Sequence, residues 1–427
     1  MCRNILLLIM LTSVFPIRAL SQEEITKNDS LYTDFSDMSE NNLNIQVKGF
    51  LDTYHAVRAS GKGDWMSSRT RLRGEVSLEK ENVGLFLSMN AIYNGILKDR
   101  TGLNLREAYL TYNAGDFNLR AGRQIIIWGN ADALRVTDQI SPMDYTEFLA
   151  QDYDDIRTPV NAFRVKYIHS IFSIEAICVP VSEFFLLSTD KHNPWAIQLS
   201  SKSPYSIDLE SQKPSKRIGN MEFGGRVSFN LSGVDFAFCA LHTWNKTPAL
   251  SYSLSEKYTL SVVGNYRRMT MLGGDLSIPV GNFVLRGEAV TFLNEAQNAQ
   301  FGQKVKERNS LNGLVGVDWF PGNDWNLSIQ YAHKYISGNL SGLAVLKNTG
   351  LATARISKEL FRNTLSLSSF AYIDVTHGGI FNRFAAQYSI NDQISITGGF
   401  DYFHANGGMF DMYKKNSEIW MKMKYSF

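Results

Sequence analysis

From Leu43 onward, apolar and polar residues alternate with a period of two, in segments of roughly ten residues. Val83, Leu85, Leu87, Met89, Ala91 and Tyr93 share one parity. Trp325, Leu327, Ile329 and Tyr331 alternate with Asn326, Ser328 and Gln330, and Ile394, Ile396, Phe400 and Tyr402 oppose Ser395, Thr397 and Asp401. The last ten residues, Glu418–Phe427, repeat the pattern, with Ile419, Met421, Met423, Tyr425 and Phe427 against Trp420, Lys422, Lys424 and Ser426. A period of two is a β-strand with one apolar and one polar face. Two kinds of connection join the segments. Short turns, most with Gly, Asn, Asp or Pro, fall at 80–83, 113–116, 169–172, 231–234, 279–282, 321–324, 359–362 and 389–392. Longer polar connections lie between them, at 58–66, 95–102, 129–158, 183–218, 245–266, 295–307, 337–344, 375–378 and 405–415.

Eight turns and nine loops predict about eighteen strands, an even number that puts both ends of the wall on the short-turn side. Residues 251–268 have room for a hairpin, a slip of two strands, so the expected range is about 16–18. The fold class predicted is all-β: a transmembrane antiparallel up-and-down β-barrel with lipid on its apolar face and water inside. Tyr93, Tyr112, Trp319, Trp325, Tyr388, Tyr402 and Tyr425 sit near strand ends, where interfacial girdles belong. A soluble sandwich would need its charged faces outside and its apolar faces paired, and this uninterrupted meander is large for one sandwich.

The first 42 residues differ in character. Arg3, the apolar run 5–15 and Ala19-Leu20-Ser21 read as a signal peptide over residues 1–21, cleaved after Ser21. Residues 22–42 are acidic and read as a periplasmic lead-in, and 43–427 as the barrel. Cys2 leaves with the signal; Cys178 and Cys239 fall on opposite face parities, so no disulfide is expected. The strand 418–427 resembles the closing strand of bacterial outer-membrane barrels. There Tyr425 and Phe427 would serve as the signal read by the barrel-assembly machinery, in the outer membrane of a Gram-negative bacterium.

Lys+Arg 43 against Asp+Glu 41 argues against a nucleic-acid surface. Without a GxSxG, HExxH or CxxC motif, the chain reads as no enzyme, with no cofactor and no metal. The charges matter through their placement. Arg69, Arg71, Arg73 and Glu75 share the polar face of one strand, opposite Leu72 and Val76. The same parity turns Arg120, Arg164, Lys166, Arg226, Arg286, Glu288, Arg355, Arg383, Asp52, Glu107, Glu175, Asp318 and Asp401 inward. Such charges either pair with one another to brace the wall or line a pore that selects by charge.

Residues 129–158 carry Asp132, Asp138, Asp144, Glu147, Asp152, Asp154 and Asp155 against Arg135 and Arg157. They also carry Leu134, Val136, Ile140, Met143, Phe148 and Leu149, too apolar for a solvated loop. The loop is expected either to fold into the lumen, its acids facing the Arg69/Arg71/Arg73 wall, or to pack as an outer lid. Ser141-Pro142-Met143-Asp144 predicts a short helix over 142–151.

Residues 106–144 contain Gly122-Arg123-Gln124, Trp128-Gly129, Asp132 and Ser141-Pro142-Met143-Asp144. This segment, about a tenth of the chain, resembles a porin-like family of outer-membrane barrels of uncharacterised function. It is also distantly similar to alginate-export barrels, a resemblance that implies an Arg-rich lumen. Arg123 shares parity with Leu119, Ala121 and Ile125, which points it at lipid unless Gly122 marks a bulge. The function expected is passive diffusion of small polar or charged solutes through a lumen narrowed by 129–158. The alternatives are secretion of an acidic polysaccharide and a plugged structural or adhesion barrel. Porin resemblance further implies a homotrimer.

Overall fold

The computed structural model describes residues 43–427 apart from 132, 149–152, 200–203 and 256–257. The signal peptide and the acidic lead-in therefore lie outside the described residues. Eighteen strands form one closed antiparallel sheet. Its first half is β1 (Asn44–Arg58), β2 (Trp65–Lys80), β3 (Val83–Asn94), β4 (Gly102–Ala114), β5 (Phe117–Gln124), β6 (Val160–Ile168), β7 (Phe172–Val179), β9 (Glu222–Leu231) and β10 (Val234–Trp244). The second half is β13 (Arg268–Val280), β14 (Phe283–Gln297), β15 (Lys306–Gly322), β16 (Trp325–Ile336), β17 (Asn348–Leu360), β18 (Leu365–Asp374), β19 (Gly379–Ser389), β20 (Ile394–His404) and β21 (Glu418–Ser426). Each pairs with the next wall strand, and β1 with β21, from Phe50↔Ser426 to Arg58↔Glu418, so the wall has no free edge.

The alternation does what its period requires. Leu72, Ile329, Ile419 and Met421 are exposed on the outside, while Arg71, Asp52, Gln330 and Trp420 are buried on the inside. Cys178 and Cys239 are free thiols on opposite faces. At the seam, Phe427 and Gly49 exchange both backbone hydrogen bonds at 2.9 Å. The phenyl ring lies so close over Gly49 that a Cβ there would come within 2.6 Å of it.

The hairpin foreseen within 251–268 exists, but not in the wall. It is β11 (Ala249–Leu254) and β12 (Leu260–Asn265), joined in parallel by β8 (Tyr205–Asp208) into a three-stranded sheet within the long loops. The wall count is therefore eighteen. Aromatic side chains bind these loops together: Phe148 stacks on Tyr413 at 4.0 Å between ring centres, with Trp195 and Phe403 against them. β14 and β15 run 15 and 17 residues, beyond the roughly 9–11 needed to cross a bilayer.

Candidate functional site: a loop held inside the barrel

The described residues of 125–159, between β5 and β6, lie inside the barrel, and their anchors can be followed round its wall. The Ile125 amide donates to Glu107 of β4 at 2.8 Å, and the Trp128 indole N–H to Glu175 of β7 at 2.9 Å. The chain then turns at Gly129, with φ +96°. A Cβ at Gly129 would collide with the Thr137 hydroxyl and lie 2.7 Å from Glu288, so the Trp-Gly pair has a steric reason.

Glu288 of β14 holds the next stretch. Its carboxylate accepts the amides of Asn130 and Ala131 at 2.8 Å and of Thr137 at 2.9 Å, and the Thr137 hydroxyl at 2.8 Å. The Asn130 amide group donates to Asp275 of β13, Arg286 donates to the Asn130 carbonyl, and Tyr372 of β18 donates to the Ala133 carbonyl. A carboxylate that gathers several N–H donors fixes a backbone firmly, because charge-assisted bonds are about twice as strong as neutral ones.

The return limb meets the arginine face of β2. Glu147 accepts from Ser67 at 3.1 Å and from Arg69 at 3.3 Å. Asp155, on a one-turn helix α1 (Tyr153–Ile156), lies 2.7 Å from both Arg71 and Arg73 and 3.9 Å from Arg106. Arg71 also grips Asp52 of β1 with two nitrogens, at 3.1 and 2.5 Å. Burial alone would raise the Asp155 carboxyl; Arg71, Arg73, Arg106 and Lys422 instead hold it well below the usual carboxylate range.

Of the residues singled out from sequence, Arg69, Arg71, Arg73 and Glu147 come together on one contact between loop and wall. Glu75 accepts the Ser88 hydroxyl at 3.0 Å. Arg120 stands over the Tyr109 ring at 4.4 Å. Asp138 and Asp144 do not reach the β2 wall: Asp138 pairs with Arg157 at 2.8 Å and Arg135 at 3.4 Å within the loop, and Asp144 with Arg100 at 3.1 Å. Asp132 lies outside the described residues. Asp155, the acid with the most cationic partners here, was one of seven in an aperiodic run where facing cannot be read. Glu288 and Glu175 read as inward from their parity but not as loop anchors, and Asp275 is an anchor that the sequence reading missed.

One expectation is corrected. The helix over 142–151 is not formed by the described residues there: Met143 and Asp144 make β-bridges to Arg157 and Leu186. Ser141 is diverted from capping because its hydroxyl accepts the Ile126 amide at 2.9 Å, and the Pro142 carbonyl takes Thr158. Arg123 keeps the side its parity gives it, with no register shift at Gly122 to turn it inward. Arg123 pairs opposite Ala108 on the outer face and donates to the Leu105 carbonyl at 3.2 Å, and the register shift lies in β4, next to Arg106.

Elsewhere the inward charges pair across neighbouring strands: Arg164 with Glu175 at 2.6 Å, Arg226 with Asp275 at 2.9 Å, Arg286 with Asp318 at 2.6 Å and Arg383 with Asp401 at 3.2 Å. No group of three metal-ligating side chains converges among the described residues. What the arrangement provides is a lumen crossed by a pinned loop, with cations on the wall facing anions on the loop.

No curated protein matches the sequence significantly. Among solved structures, Pseudomonas aeruginosa OccK8 (OprE) is similar with a TM-score of 0.54 at 8% identity, covering 90% of this chain and 98% of that one. Pseudomonas aeruginosa OccK2 (OpdF), solved in complex with glucuronate, gives 0.53 at 9%, covering 90% and 97%. A BenF-like porin from Pseudomonas fluorescens Pf-5 gives 0.52 at 7%, covering 90% and 98%. At such identities the likeness is one of fold. The profile of a family described as "Protein of unknown function (DUF1302)" matches residues 34–412, and the chain belongs to that family.

Proposed function

We propose that this chain is an outer-membrane porin through which small polar or charged solutes diffuse passively, and that residues 125–159 form its constriction. The observation that carries this reading is the loop crossing the lumen, from Glu288 on one side to Arg69, Arg71 and Arg73 on the other. A lumen lined with charged side chains suits polar solutes, and the fold is shared with a BenF-like porin and with a barrel solved in complex with glucuronate. In this reading Arg69, Arg71, Arg73 and Glu147 form the narrow part, Glu75 and Arg120 line the barrel beside it, and Asp132, Asp138 and Asp144 belong to the loop that shapes it.

The protein is not an enzyme in this reading. Residues 1–21 act as a cleaved signal peptide and 22–42 as a periplasmic lead-in to the barrel in a Gram-negative outer membrane. Tyr425 and Phe427 carry the signal for the barrel-assembly machinery, and the functional unit is a homotrimer. Secretion of an acidic polysaccharide, by analogy with alginate export, would need a continuous basic track; the carboxylates on Arg69, Arg71 and Arg73 disfavour it. Planar-bilayer recording tests the constriction. Replacing residues 131–156 by a short Gly-Ser linker is expected to raise single-channel conductance severalfold, and unchanged conductance refutes it. A silent wild-type channel would favour the plugged barrel.

A further inference from the structure

The outward face of β9, β10 and β13 turns from apolar to polar at its long-loop end. Lower on these strands Phe238 and Leu272 are exposed, as lipid-facing residues must be. Nearer the loops, Phe223, His242 and Thr270 lie side by side in register. The His242 ring rests 5.3 Å from that of Phe223, and its Nδ1 is hydrogen-bonded to the Thr270 hydroxyl at 2.9 Å. The last outward rung pairs Trp244 with Arg268, whose guanidinium carbon lies 4.6 Å from the indole ring centre. Both side chains also grip the segment that enters β9. The Trp244 indole N–H donates to the Asn220 carbonyl at 3.1 Å, and Arg268 donates to the carbonyls of Gly219 at 2.8 Å and Met221 at 2.7 Å. A guanidinium carries more donors than those two carbonyls take. The gripped segment is exposed from Ser215 to Gly219, so Lys216, Arg217 and Ile218 stand at the surface beside Arg268.

The acids around this patch are engaged. Glu210 holds Lys213 at 2.6 Å, Asp208 accepts the amides of Glu210 and Ser211, and Glu307 lies 3.9 Å from Arg267. Glu222 is turned inward and buried on Lys246 at 2.6 Å. Lys216, Arg217 and Arg268 therefore make the patch cationic. We propose that it holds the phosphate of an anionic outer-leaflet lipid, with Arg268 and Arg217 on the phosphate and Trp244 and Phe223 against the lipid's apolar part. Arginine forks match phosphate oxygens, and tryptophan beside them belongs at headgroup level. The patch lies on the outside of a closed wall and runs on into exposed Ile218, Phe223 and Leu272, so an occupant that covers it carries hydrocarbon as well as charge. The inference rests on the outer-membrane placement of the barrel and is independent of solute passage.

Native mass spectrometry of the folded barrel in neutral detergent tests it, with diphosphoryl lipid A and the same lipid after phosphatase treatment as probes. Wild type is expected to hold the phosphorylated lipid at least tenfold more tightly than the treated one. Arg268→Gln should weaken that binding tenfold or more, the loss of a charge-assisted contact. Arg217→Gln should weaken it about fivefold, as expected for one cation at a membrane surface. Lys62→Gln, at the same rim in the β1–β2 connection, should leave it unchanged. Heat-modifiable gel mobility verifies that each variant is folded, and the exposed Arg217 tests the site even where Arg268→Gln loosens the segment it grips. Equal retention of the treated lipid overturns the phosphate assignment. Wild-type binding in both arginine variants, or an equal loss in Lys62→Gln, overturns the location. Displacement of lipid A by an equal concentration of inorganic phosphate overturns the lipid as occupant. A barrel that shows the expected lipid pattern but stays silent in planar bilayers sinks the porin reading and leaves this one standing.

Discussion

Asp155→Asn is the most informative perturbation of the loop. The change keeps the shape of the side chain and removes the anion on which Arg71, Arg73 and Arg106 converge. Arg71 retains Asp52, whereas Arg73 retains the neutral Asn90 oxygen at 2.8 Å. Removing one partner of a buried pair costs about 3–5 kcal/mol, chiefly because a charge is left without compensation. The neutral hydrogen bonds elsewhere on the loop are worth about 0.5–1.5 kcal/mol each. A loss of this size moves the equilibrium between docked and released loop by about two to four orders of magnitude. Single-channel conductance should rise, and the reversal potential in a KCl gradient should move toward anions as the arginines are uncovered. Asp52→Asn is the matched control, because Arg71 then keeps Asp155 and the loop stays attached.

The pH dependence follows with a definite sign. The folded-state value of Asp155 is depressed below the unfolded value, which is about 3.9. Its contribution to docking is therefore fully present above about pH 4 and is lost as pH falls through the folded value. Asp155→Asn at neutral pH should reproduce the released state that wild type reaches only in strong acid. Wild-type conductance and selectivity in Asp155→Asn would refute the assignment of this aspartate as the loop's main anchor.

The remaining expectations are these. Deleting Phe427, or placing valine at Gly49 beneath its ring, should impair assembly of the folded barrel while export across the inner membrane proceeds, as read by heat-modifiable mobility and fractionation. Glu288→Gln replaces a charge-assisted acceptor of three backbone amides, a loss of about 1.5–3 kcal/mol; protease cleavage near residues 130–137 should increase with the barrel intact. Arg123→Leu, changed on the outer face, should leave conductance and ion selectivity as they are; a shift in selectivity would place that guanidinium in the lumen.

The wall was legible because its chemistry is periodic. Each of the eight short turns lies where the alternation breaks, and the parity of Arg69, Arg71, Arg73, Trp420 and Lys422 follows from the pleat alone. The loop was legible only in part. Its apolar residues signalled burial, but an irregular segment has no period from which to read direction, so Asp155 was indistinguishable from its acidic neighbours. Ser141-Pro142-Met143-Asp144 carries the local marks of a helix start, and the distant Ile126 amide claimed the serine hydroxyl that would have capped it. Arg123 keeps the outward parity of Leu119 and Ala121, and its guanidinium meets a backbone carbonyl beside the register shift in β4.

The seam between β1 and β21 also sets a clock. Phe50 and Ser426 are neighbours across it, yet in the chain they stand at opposite ends of the wall. Closing a flexible loop of that length costs about 5 kcal/mol of entropy against well under half as much for a two-residue turn. Pairings this remote form late and slowly. Until β21 arrives, β1 presents an unpaired edge carrying Ile45, Val47 and Leu51 to any strand that meets it first. The most dangerous interval in this protein's life is thus the wait for its last strand, and keeping that edge occupied is what transit to the membrane demands of its escorts.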